Sequence, residues 1–142
     1  MSPLLIYVQG NEFDKELLEI AFNILNPNED IIHLIYVIEM DRSLPIDSEI
    51  PPLTAKGEST LKNLEFLAKR LKFNIEGHLV QSRDIGSAIV QESFEKNINT
   101  ILIELQANQI NQYYPVNKTA EYLLKNSKCQ VILVKPKLLN NN

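Results

Sequence analysis

The hydrophobic positions of this 142-residue chain follow two alternating rhythms. Residues 4–8, 31–38, 100–105 and 129–134 are short runs dense in β-branched and long aliphatic side chains. Such runs mark strands buried on both faces of a sheet. A further run, residues 73–80, alternates, with Phe73, Ile75, Gly77 and Leu79 on one side, and reads as a strand at a sheet edge. Between the runs lie stripes at helical spacing. Leu17, Leu18, Ala21, Phe22 and Leu25 form the first, and Leu53, Gly57, Leu61, Leu64, Ala68 and Leu71 the second. Ile85, Ile89 and Phe94 form the third, and Ala120, Leu123, Leu124 and Ser127 the fourth.

Local chemistry punctuates this pattern. Gln9-Gly10-Asn11 turns the chain after the first strand, and Asn26-Pro27-Asn28 ends the first helix. Residues 41–52 hold Pro45, Pro51 and Pro52 and are predicted to be one long irregular loop. Asp84 and Asn117 are N-caps for the third and fourth helices, and Pro136 stops the last strand. Strand and helix thus alternate through five strands. Right-handed crossovers then place helices on both faces of a parallel sheet, an α/β fold of three layers, α/β/α. The expectation is a single domain over residues 1–137 and a tail over 138–142.

Composition narrows the function classes. A formal charge of −4 argues against nucleic acid as a partner. No stretch of 18 apolar residues occurs, so membrane insertion is not expected. The start, Met1-Ser2-Pro3, lacks a basic segment and a long apolar core, so no secretory leader is expected. The lone Cys129 fits a reducing, cytoplasmic setting and reads as a small core hydrophobe. Acids including Glu12, Asp14, Glu16 and Glu19 gather early in the chain, and Lys118, Lys125, Lys128, Lys135 and Lys137 gather late. Two solvated faces account for this, or a basic strip that attracts an anion. His33 and His78 have no Cys or His at ligand spacing, so no metal site is expected. No general base stands beside a nucleophile, so no catalytic residues and no enzyme activity are expected.

Residues 97–136 carry a further signal: buried strand, polar connection, helix, and a last strand ending in Lys135-Pro136. This order resembles the C-terminal half of universal stress proteins, and more weakly the whole chain does. The resemblance implies their five-stranded parallel sheet of order 3-2-1-4-5, the HUP or adenine nucleotide alpha hydrolase-like architecture. In that family the loop after the fourth strand reads G-x-x-G-x9-G-S/T and holds phosphate. The spacing is kept here, but Glu104 and Ala107 stand at the first two glycines, and Asn117 and Lys118 at the third glycine and its hydroxyl residue. Gln9 stands where the family's Asp meets adenosine, and Val37 matches an adenine-facing position.

A Glu104 carboxylate close to the phosphate position would repel it by roughly 4 kcal/mol at 4 Å and an intermediate dielectric. The resemblance therefore implies a stress-response regulator that acts through homodimerisation and an unidentified protein partner, without ATP and without a cofactor. The alternative is a nucleotide-binding module that takes ATP or AMP through Gln9, Val37, Ala107, Asn117 and Lys118. Tyr113-Tyr114-Pro115 would fill the nucleotide cavity or contact a partner. The family's dimers pair the last strand, which here implicates Val131, Ile132, Leu133 and Val134.

Overall fold

A computed structural model describes residues 3–106 and 116–137. Five strands and four helices alternate: β1 (Pro3–Val8), α1 (Phe13–Ile24), β2 (Ile31–Glu39), α2 (Pro51–Arg70), β3 (Asn74–Ser82), α3 (Ile85–Glu95), β4 (Thr100–Glu104), α4 (Lys118–Asn126) and β5 (Gln130–Val134). All strands pair in parallel in the order β3-β2-β1-β4-β5.

The densest aliphatic runs occupy the centre. Leu5, Ile6, Ile32, Leu34, Ile35, Ile101 and Leu102 are fully buried, because every side chain of an inner strand meets a helix layer. Alternation along the strands divides the core in two. Leu4, Ile6, Leu34 and Leu102 pack against α1 and α2 through Leu17, Leu18, Leu61 and Leu64. Leu5, Ile35, Ile101 and Ile103 pack against α3 and α4 through Ile89, Ala120 and Leu123. The chain winds outward from β1 to β3 under one helix layer, then returns to β4 and β5 under the other. The direction of winding reverses between β1 and β4, and a crevice opens there at the carboxyl ends of the strands.

Several expected details are corrected. Pro51 and Pro52 do not belong to the loop. They occupy the first turn of α2, where a missing N–H costs nothing and a fixed φ suits the helix. Leu53 and Leu71 of the second stripe are exposed, as are Phe94 and Leu124. Each lies at an end or flank of its helix, where the helix has turned away from the sheet. The residues predicted for the 107–115 connection, including Ala107 and Tyr113-Tyr114-Pro115, and the 138–142 tail lie outside the described residues.

Gly57 sets how closely α2 approaches the sheet. A Cβ there would meet Leu79 Cδ1 at 2.6 Å and Tyr36 Cδ1 at 2.9 Å. Gly57→Val is therefore expected to lose about 1–3 kcal/mol of stability by overpacking, despite the gain in helix propensity that replacing glycine brings. Urea denaturation at equal m-value measures it.

Candidate functional site

The crevice between β1 and β4 is built first by the turn after β1. Gly10 adopts φ +80, and a Cβ there would meet Lys56 Cε at 2.8 Å, so the position calls for glycine on both counts. The turn is held by Asp14, the second residue of α1. Its carboxylate accepts the Gln9 N–H at 2.9 Å and the Gly10 N–H at 2.7 Å. Asp14 is buried. Burial pushes its pKa up, while backbone donors from Gln9, Gly10 and Asn11, and then Lys56, pull the other way. Reading Asp14 as part of a solvated acidic face is thus corrected for this residue. A short acid at the second helical position, just after a glycine turn, is the signal that points to such a role.

Across the crevice, Gln106 Nε2 donates to Gln9 Oε1 at 2.6 Å and joins the ends of β4 and β1. The space left among the described residues is about 90 Å³, bounded by Tyr7, Gln9, Ile103, Glu104, Gln106 and Asn117. The Tyr7 phenol is pushed up to about 12 by burial first and by Glu39 next, and it stays neutral.

Glu104 ends β4. Ile101 and Ile103 turn to the α3–α4 side and Leu102 to the opposite side, so alternation sends the Glu104 side chain toward α1. It is 7 % exposed, and its Oε2 is buried without a hydrogen-bond partner. Burial raises its pKa to about 7, with Asp14, Glu16 and Glu12 adding to the rise and Asn11 opposing it. Two expectations change. The carboxyl lies on the α1 side, among Asp14, Glu16 and Glu12. Its raised pKa also makes it hold a proton far more readily than an ordinary glutamate, so a full like-charge repulsion overstates its effect.

Asn117 caps α4. Its side chain accepts the Ala120 N–H at 2.8 Å, with φ −75 and ψ 178. That is ordinary extended backbone, so glycine is not required here. Among the described residues, no group of three or more His, Cys, Asp or Glu is placed to hold a metal ion. No described helix is long and apolar enough to cross a membrane. Cys129 precedes β5 half-buried, and burial raises its thiol pKa.

Residues 1–135 match the model of the Universal stress protein family. The chain belongs to this family. Solved universal stress proteins share its fold. One from Burkholderia pseudomallei is 16 % identical with a TM-score of 0.71, over 94 % of this chain and 95 % of its own. A family protein from Arabidopsis thaliana, solved with AMP bound, is 14 % identical with a TM-score of 0.71, over 96 % and 93 %. The protein from Archaeoglobus fulgidus, solved in complex with dAMP, is 12 % identical with a TM-score of 0.73, over 94 % and 97 %. No curated protein matches the sequence.

Family membership supports a stress-response role, and the sheet order is the one the resemblance implied. Of the residues aligned with the family's nucleotide positions, Gln9 and Asn117 meet in one crevice. Val37 is instead buried in the core against α3. Lys118 is exposed and borders a separate hollow beside Asp84 and Glu121. Ala107 lies outside the described residues. Sequence reasoning missed the Gln9–Gln106 bond, because Gln106 carries no signal until the fold sets it beside Gln9.

Proposed function

We infer that this universal stress protein is a regulator that acts through homodimerisation and protein contacts, and that it neither binds ATP nor catalyses a reaction. The observation that carries this reading is the Gln9–Gln106 bond across a crevice of about 90 Å³ among the described residues. Small-molecule sites commonly enclose roughly 300–1,000 Å³. A nucleotide would have to break the amide contact to enter. The lysine at the loop's end faces elsewhere.

Calorimetric titration with ATP and magnesium, and separately with AMP, tests the reading. No heat above dilution is expected. A dissociation constant in the low micromolar range, about −8 kcal/mol, overturns it.

A second reading, a nucleotide-binding module for ATP or AMP, draws support from the relatives solved with AMP and dAMP. In it Gln9 and Asn117 would touch the ligand. The same titration separates the two.

The dimer reading rests on β5. It is the outermost strand beside β4, and Val131, Ile132, Leu133 and Val134 are each only partly buried. An apolar edge strand invites pairing, and a second copy across a two-fold axis supplies it.

A further inference from the structure

Away from the crevice, four ionisable side chains meet on the α3 side of the edge strand β3 and its neighbour β2. His33 lies opposite Glu76 in the ladder, and His78 lies opposite Ile35, so His33, Glu76 and His78 share one face. From α3, the buried Glu92 reaches this group. His78 Nδ1 lies 2.5 Å from Glu92 Oε2, and since a carboxylate only accepts, the ring N–H donates. His33 is buried at 6 % exposure, and its Nδ1 has no hydrogen-bond partner. Glu76 Oε2 stands 3.6 Å from that nitrogen, on a side chain that is largely exposed.

We propose that this cluster is an acid-responsive catch, in which His78 and Glu92 hold α3 onto β3 while His33 is neutral, and protonation of His33 releases the helix.

The physical basis is the cost of placing a cation on the buried His33 ring. On β1 the residue paired with His33 is the aliphatic Leu5. β3 offers Glu76 and His78, and α3 offers Glu92 and, at its end, Lys96. Glu92 is already engaged by His78. An imidazolium at His33 would therefore face a carboxylate in use, a lysine, and Glu76 at longer than hydrogen-bond distance. His33 titrates below its ordinary value of 6.5, chiefly because burial disfavours the charged ring; Lys96 and His78 lower it further, and Glu76 and Glu92 oppose.

The sign follows. The closed form binds fewer protons at His33 than an open form in which the ring meets water. Acid therefore favours opening as pH falls through 6.5 toward the closed form's lower pKa, by about tenfold per pH unit for one proton. Above 6.5 the catch is closed. Release would reach the crevice, because Ile85, the first residue of α3, forms part of its wall.

Amide hydrogen exchange of the full chain, corrected for intrinsic rates, tests this between about pH 7.5 and about pH 5.5. Peptides from α3 should lose protection by up to about tenfold per unit, while peptides from α1 keep theirs. His33→Leu and His33→Gln should each keep α3 protected at the lower pH. If neither variant folds, an NMR titration of the His33 ring in the parent must track the loss of α3 protection. Unchanged α3 protection, equal loss in α1, loosening that persists in a folded His33 variant, or a His33 titration out of step with opening each overturns the proposal.

Discussion

Glu104→Gln is expected to be more stable than the parent, with a margin that grows as pH rises. In the folded chain the Glu104 pKa is raised from the ordinary 4.5 to about 7. The proton held there stabilises the fold fully below 4.5, and that contribution is lost as pH climbs through 7. By about pH 9 the parent keeps a charged carboxylate beside Asp14 and Glu16, at a cost of about 3 kcal/mol for a shift of this size. The amide has the same shape and no charge, so the variant escapes this loss. Guanidinium denaturation across about pH 5.5 to 9 reads the effect as a gap between the variant and parent midpoints that widens with pH. Parallel profiles would sink the assignment of Glu104 as a buried, proton-holding acid. His33 slopes the other way below 6.5, because its folded pKa is lowered, but it acts equally in parent and variant and cancels from their difference.

Val131→Pro is expected to split the proposed homodimer while leaving the monomer folded. The Gln130 N–H donates to Asn99 O at 3.0 Å, and the Leu105 N–H donates to Val134 O at 2.8 Å. In a parallel ladder every second residue bonds a given neighbour, so Gln130, Ile132 and Val134 serve β4. Val131 and Leu133 then turn their N–H and C=O groups to the open edge. Proline at 131 removes an outward donor and spares the ladder to β4, the one setting in which a strand tolerates it. Light scattering at micromolar concentration should give twice the 16.3 kDa chain mass for the parent and 16.3 kDa for the variant. A parent already at the single-chain mass refutes dimerisation through β5.

The layered α/β fold was legible in the sequence because it rests on periodicity. Continuous aliphatic runs can be satisfied only inside a sheet covered on both faces, and each helical stripe needs one covered side. Turns and caps are local as well: Gly10, Asp84 and Asn117 each act within a few residues of themselves. The boundary that went wrong, at Pro51, turned on whether two prolines break a helix or begin one, and a composition rule cannot tell these apart.

The sequence by itself determined which residues form the strands and helices, and placed Gln9 and Asn117 at the ends of elements that border the crevice. Tertiary structure alone decided which polar side chains are withdrawn from water. Asp14, Glu92 and Glu104 read like any surface acid along the chain, yet all three are buried. Glu104 meets Asp14 across ninety residues of chain, and His78 meets Glu92 between different layers. Charge and hydrogen bonding act through space over a few ångströms, so such pairs carry no periodic trace in the sequence. The Gln9–Gln106 contact that crosses the crevice is of the same kind, formed only when β1 and β4 lie side by side.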